Sequence, residues 1–377
     1  MRKGWEYKKL GEVCTIKAGY TPKKNELSDN GAYPYYKVAD MNTLGNDVYL
    51  DITSSYKIDA NKLFPKGAIV FPKNGAAVST NKKRILKYDS IVDLNTGVAI
   101  FPKSINEKFA YYWFIDTDFK KYVRGGALPT LDIKSLKDKP FPSIDKSTQL
   151  AIVTELDKIN ELIRLKKEQL KDFDNLAQSL FYEMFGDPVE NEKGWEVETV
   201  QNSCTLKSGD SKANNSKVGT LPYIKVGDMN LPENENYINI STNYVDKKTN
   251  IKRIFPIGTI IFPKRGGAIL TNKKRLTNVE ICCDLNIMGV TPGNMLNKYY
   301  LFQYFKILDL STICSGSTVL QLNNCDINPL RIPLPPLSLQ HLFAQRIEQI
   351  EREKSEVQKS IQDLETLLAS RMQYWFE

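Results

Sequence analysis

The sequence predicts an α+β fold: two tandem globular domains of one kind, each followed by a long α-helix, the two helices pairing as an antiparallel coiled-coil spacer with pseudo-two-fold symmetry. Three observations predict it. The chain is written twice, since Phe64 to Arg84 (FPKGAIVFPKNGAAVSTNKKR) returns as Phe255 to Arg275 (FPIGTIIFPKRGGAILTNKKR), identical at 14 of 21 positions. Two stretches, Ser147 to Phe185 and Ser338 to Phe376, hold no Pro or Gly and carry a sustained heptad pattern. The two remaining blocks hold short β-branched and aromatic runs bounded by Gly and Pro, which read as strands.

These features divide the chain into a first domain at 1–146, a first helix at 147–186, a second domain at 187–337 and a second helix at 338–377. The echo covers each domain: Gly4-Trp5-Glu6 matches Gly194-Trp195-Glu196, Tyr35 to Asn42 matches Tyr223 to Asn230, and Asp93-Leu94-Asn95 matches Asp284-Leu285-Asn286. A repeat this long is a duplicated domain, because solenoid units are much shorter. Gly67 to Pro72 and Gly97 to Pro102 read as strands, and the aromatic run Phe109 to Ile115, echoed by Lys298 to Phe305, reads as a buried helix. In the first long helix the apolar seam runs through Ile152, Leu156, Ile159, Ile163, Leu170 and Phe173, with a break at Lys166. In the second it runs through Phe343, Ile347, Ile350, Val357, Ile361 and Leu364, with breaks at Lys354 and Arg371. Such polar breaks either fix register and partner or lie along the seam with their ammonium groups in water. Ser147 and Ser338 are the N-cap candidates, and Gly186-Asp187-Pro188 is a stop signal for the first helix.

Composition narrows the function classes. With 41% hydrophobic and 25% charged residues the chain can bury a core in each half, and its net charge of +8 matters only where cations cluster. No apolar run is long enough to cross a bilayer, and the opening Met1-Arg-Lys-Gly-Trp5 lacks the apolar core of a signal peptide, so a cytoplasmic protein without membrane partners is expected. The six cysteines form no Cys-x-x-Cys pair, and Cys14 and Cys204 occupy matching places, which favours packing over chemistry. A single histidine, His341, argues against histidine catalysis and His-ligated metal. The nearest approach to a nuclease pattern is Asp132-Ile133-Lys134 with Asp118 upstream, but the matching Asn323-Asn324-Cys325 has neither carboxylate nor lysine. There is no phosphate-binding loop, no Gly-rich methyl-donor loop and no Asn-Pro-Pro-aromatic motif. No catalytic residue, metal site or cofactor is expected in this chain.

The basic clusters point to a polyanion. In both copies a strand ends in Phe-Pro-Lys, passes a Gly turn and delivers Thr-Asn-Lys-Lys-Arg. A solvated hairpin is the plainer reading of one copy, but recurrence favours phosphate contact, with Lys73, Lys82, Lys83 and Arg84 matched by Lys264, Lys273, Lys274 and Arg275. A second basic loop carries Lys23 and Lys24 in the first copy and Lys212, with Lys217 nearby, in the second. Positions that differ between copies are candidates for base reading, and the leading pair is Asn74 against Arg265, since asparagine suits adenine and arginine suits guanine. A 39-residue helix is about 60 Å long at ~1.5 Å per residue. Two like domains held apart by such helices match the two-fold symmetry of duplex DNA.

The Gly-Trp-Glu openings, the Gly19-Tyr-Thr-Pro-Lys23 loop, the Leu334-Pro-Pro-Leu337 lead into the second helix and the order domain, helix, domain, helix together resemble the DNA-sequence specificity subunits of Type I restriction-modification systems. The resemblance covers the whole chain. It implies that each target-recognition domain reads one half of a split double-stranded site while the helices set the gap. It also implies that two methyltransferase subunits dock on the helices and that endonuclease/translocase subunits join them. S-adenosylmethionine, ATP and magnesium then belong to those partners. Phe141-Pro-Ser-Ile-Asp145 departs from the Leu-Pro-Pro-Leu form at the first helix. A coiled-coil interaction scaffold and a specificity module of a single-chain restriction-methylation enzyme are the alternatives.

Overall fold

A computed structural model describes residues 2, 4–53, 55–57, 62–126, 128–210, 219–248, 254–316 and 319–377. It resolves into two compact units, one of residues 1–167 with 359–377 and one of residues 168–358.

In the first unit the central sheet has five strands in the order Thr15–Ala18, Thr96–Ile100, Ile69–Pro72, Arg84–Leu86, Tyr49–Leu50. All pairings are antiparallel except the last, where Tyr49–Leu50 runs parallel to Arg84–Leu86. The period-two alternation of the strands divides the core. Ile69, Phe71, Ile85 and Ala99 face the aromatic helix Glu107–Asp116, whose Phe109 to Phe114 are all buried. Val70, Leu86 and Val98 face the other way, onto Tyr36, Met41, Phe64 and Val92. With both faces covered, strand Ile69–Pro72 is wholly buried, which is why its sequence is continuously apolar rather than alternating.

The second unit repeats this plan with Cys204–Ser208, Ile287–Pro292, Ile260–Pro263, Arg275–Thr277 and Tyr237–Ile238 in the corresponding order. Its aromatic helix is Lys298–Ile307. Ile260, Phe262, Leu276 and Val290 face that helix, and Ile261 and Ile287 face the smaller cluster. The expected strands and aromatic core helices are therefore present in both halves. Burial pushes the thiols of Cys14 and Cys204 up to about 12 and about 11, in keeping with packing roles.

The long helices span Lys146–Phe185 and Leu337–Phe376, each starting one residue before its expected serine. The caps differ from expectation. Ser147 lies inside the first helix, and the capping acceptor is the Asp145 carboxylate, which takes bonds from Thr148 N at 2.9 Å and from the Ser147 and Thr148 hydroxyls. At the second helix the Pro336 carbonyl accepts from Leu339 and Gln340, and Ser338 again lies within the helix. Each start is also pinned by a buried glutamine. Gln149 accepts from Asn106 N and donates to the carbonyls of Ser104 and Ile144, and Gln340 does the same with Asn297, Met295 and Pro335.

Within each unit the two helices run antiparallel. In the first unit Glu155 accepts from Arg371 and, at 3.1 Å, from Trp375 Nε1, while Lys167 meets Glu365 at 2.8 Å. Met372 and Phe376 join Ile152 and Leu156 in the core. In the second unit Phe181 and Phe185 pack on Phe343 with ring centroids 5.7 and 5.3 Å apart, and Lys354 meets Asp174 at 2.8 Å. Nine of the twelve named seam residues are buried, whereas Leu170, Phe173 and Leu364 are half-buried. Lys354 is 5% exposed and ion-paired, so its ammonium does not reach into water and the register reading of that break fits the geometry.

Candidate nucleic-acid interface

The repeated Thr-Asn-Lys-Lys-Arg segment follows a turn that glycine permits, Gly75 at φ 74° and Gly266 at φ 70°. A short 3₁₀ turn then ends at Asn81 and Asn272, both in the left-handed region at φ 55° and 50°, which asparagine tolerates. From there the two lysines and the arginine part company.

Lys83 is fully buried and Lys274 is 4% exposed, so the expectation that they contact phosphate is corrected. The Lys83 ammonium donates to Asn81 Oδ1 at 2.6 Å and to the Thr117 carbonyl at 2.7 Å, and lies 4.1 Å from the Phe119 ring centroid. Lys274 donates to Asn272 Oδ1 and the Leu308 carbonyl, both at 2.5 Å. The same asparagine oxygens accept Phe119 N and Leu310 N, so each motif ties a strand to the segment after the aromatic helix. Burial pulls the Lys83 pKa down to about 7 and that of Lys274 to about 8.

Arg84 and Arg275 are half-buried and turn part of their guanidinium groups onto backbone carbonyls. Arg84 donates to the carbonyls of Asn46, Lys83 and Met41, and Arg275 to those of Lys274 and Met229. Lys82 and Lys273 are half-buried and their ammonium groups meet the side-chain oxygens of Asn42 and Asn230. Lys264 is half-buried against the Ser208 hydroxyl at 2.8 Å, and its pKa is lowered by burial and by Arg265. Lys73 is half-buried, Lys23 and Lys24 are exposed, and Lys212 and Lys217 lie outside the described residues. The identity of the two copies at this segment thus reports a shared fold device rather than a phosphate clamp.

The residues at the Gly turn behave differently. Asn74 is half-exposed, with its amide 3.4 Å from Asn95 Oδ1, and Arg265 is exposed. Asn74 lines an open cleft of about 740 Å³ with Lys37, Asp93, Asn95, Leu128 and Thr130. Each turn is held by a neighbouring strand: Leu131 N donates to the Lys73 carbonyl and Gly75 N to the Pro129 carbonyl, both at 2.8 Å. Leu322 N to Lys264 and Gly266 N to Leu320 repeat that arrangement at 2.9 and 2.8 Å. These pairings set Asn74 opposite Thr130 and Arg265 opposite Gln321. Sequence reasoning did not single out Thr130, Gln321 or the cleft residues Lys37 and Asn95. Lys37 and Asn95 do fall inside repeated motifs, which was the available signal, whereas Thr130 and Gln321 carry none.

Asp132, the nearest thing to a nuclease carboxylate, caps the short helix Ile133–Lys137, accepting from Lys134 N at 3.2 Å and from the Ser135 hydroxyl, and pairs with Arg124. These bonds hold its pKa below the usual carboxylate range, as a cap requires rather than a proton shuttle. Among the described residues no helix is long and apolar enough to cross a membrane.

One scaffold is presented twice, with a different residue at each Gly turn, which defines a tandem-domain protein. Comparison with known proteins gives the class. The family described as Type I restriction modification DNA specificity domain matches residues 2–172 and 192–366. The MjaIX specificity subunit of Methanocaldococcus jannaschii is 24% identical over 90% of this chain and 85% of its own length. The EcoDI specificity subunit of Escherichia coli is 20% identical over 95% and 83%. Among solved structures, the S subunit of a Type I system from M. genitalium aligns with a TM-score of 0.54 at 14% identity, covering 99% of this chain and 96% of that one. A chain from a type I system solved for its complex assembly and conformational transition aligns with a TM-score of 0.66 at 18% identity, covering 100% and 98%. The chain belongs to the Type I restriction-modification DNA specificity family, whose members are non-catalytic and confer sequence specificity on a complex.

Proposed function

We propose that this chain directs a Type I restriction-modification complex to a bipartite DNA site, each domain reading one half and the paired helices setting the gap between them. The carrying observation is the duplicated sheet, which offers the same turn with Asn74 in one domain and Arg265 in the other. Amide and guanidinium groups make bidentate contacts with different bases, so two such turns suit two half-sites. The antiparallel helix contacts inside each unit, Glu155 with Arg371 and Asp174 with Lys354, support a spacer role. Two methyltransferase subunits dock on the helices and endonuclease/translocase subunits join them. S-adenosylmethionine, ATP and magnesium act in those chains.

The phosphate contacts in this reading come from the exposed loop cations Lys23 and Lys24, with the half-buried Lys73, Lys82, Lys264 and Lys273 beside them, while Arg265 is kept for base reading. Selection from a randomised duplex library by the full-length chain with its methyltransferase subunits tests the reading. Two enriched blocks separated by a fixed gap are expected. Retention of DNA without any enriched sequence contradicts it.

A further inference from the structure

We propose that each domain reads its half-site with a row of three side chains on adjacent bridged segments: Asn74, Thr130 and Arg124 in the first domain, and Arg265, Gln321 and Ser315 in the second. The proposal rests on the DNA-reading role above and names the residues that carry it. Asn74 is bridged to Thr130, which pairs with Arg124. Arg265 is bridged to Gln321, which is bridged to Ser315 through reciprocal backbone bonds of 2.8 and 2.7 Å. Residues directly opposed on antiparallel strands place their side chains on one face.

That face is turned to solvent. Leu131 and Leu322, one residue further on, are 3% and 1% exposed, so the strand period of two sends Thr130 and Gln321 outward. Thr130, Arg124, Arg265 and Ser315 are exposed, and Asn74 and Gln321 partly so.

The surroundings of the row are kept while its chemistry changes. Lys73, Gly75 and Leu131 match Lys264, Gly266 and Leu322, and the neighbouring Lys37, Asp93 and Asn95 match Lys225, Asp284 and Asn286. In the row itself an amide becomes a guanidinium, a hydroxyl becomes an amide and a guanidinium becomes a hydroxyl. Strands lie ~4.8 Å apart, so three side chains cover roughly 10 Å. That is about three base-pair steps at ~3.4 Å each, and a row of roughly 10 Å lies within a major groove about 12 Å wide. Arg265 suits guanine O6 and N7, Gln321 and Asn74 suit adenine N6 and N7, and the Thr130 methyl suits thymine. Arg124 is 71% exposed while paired with the 8% exposed Asp132, which aims its guanidinium from behind.

The test transplants the row. The triple variant R265N/Q321T/S315R, assembled with its methyltransferase subunits, is taken through selection from the randomised duplex library beside the wild-type complex. One block of the enriched sequence is expected to change at up to three adjacent positions towards the other block, with preference for the original bases reduced roughly 5- to 150-fold. The second block stays as it was. An unchanged motif, or change in both blocks, overturns the row and leaves the DNA-reading role intact, because surface drift at these positions leaves selection untouched. A wild-type complex that enriches nothing overturns that role and the row together. If the triple variant melts below the wild type, the single variant Gln321→Thr decides: a shift confined to one position of one block supports the row, and an unaltered block overturns it.

Discussion

A buried ammonium is tolerated only where acceptors surround it, and at Lys83 those acceptors are the Asn81 amide oxygen and the Thr117 carbonyl, with the Phe119 ring beneath. Lys83→Ala therefore leaves a buried carbonyl unsatisfied and opens a cavity, and is expected to cost about 3 kcal/mol of stability in urea denaturation. Its salt dependence of DNA binding is expected to equal that of the wild type, since no phosphate contact is lost. A flatter slope in a titration across salt concentrations contradicts that assignment. The pH dependence has a definite sign. The folded pKa of about 7 lies below the unfolded value of 10.5, so between them the unfolded chain holds a proton that the folded one lacks. Stability from this group rises as pH increases from about 7 towards 10.5 and is flat below 7. Comparing denaturation of wild type and Lys83→Met at pH 7 and pH 9 isolates the effect, and the wild type is expected to gain more.

Among the elements, the long helices carry their polar breaks differently in the two units. The first unit pairs Arg371 with Glu155, both about one-third exposed, while the second places a nearly buried Lys354 against a half-exposed Asp174 with Glu351 3.9 Å away. Removing the partner of a buried charge costs more than replacing the charge by an apolar group of like length. Asp174→Ala is thus expected to destabilise by ~1–3 kcal/mol, and Lys354→Met to be neutral or mildly stabilising. Chemical unfolding of both variants ranks them, and the reverse order defeats the argument. The heptad pattern foretold where these helices lie to within a residue at their starts, because periodicity and the absence of Pro and Gly are local properties. It did not foretell the caps. Asp145 prevails over Ser147 because a carboxylate just outside the helix accepts three bonds at once.

For the molecule as a whole, the proposed spacer role predicts a change in the DNA site. Deleting one heptad from each long helix shortens each by about 10 Å at ~1.5 Å per residue, or roughly three base pairs at ~3.4 Å each. Mapping methylated bases in cells that express the shortened chain with its partner subunits is expected to show the same two blocks with a narrower gap. An unchanged gap removes the helices from that role. Family membership rests on residues 2–172 and 192–366 together, so both halves belong in any such test.

The duplication, the paired aromatic helices, the buried strands and the long helices could be read from the residues alone, because each leaves a periodic or repeated trace along the chain. Which cations are free could not. Lys82, Lys83 and Arg84 look alike in a row, yet one is sealed by the Thr117 carbonyl 34 residues away and another, half-buried, is turned onto the carbonyls of Met41 and Asn46. Likewise Asn74, Arg124 and Thr130 meet only when three separate segments pair. Solvation and cross-strand register are set by what packs against a residue in space, so these features were decided by tertiary structure.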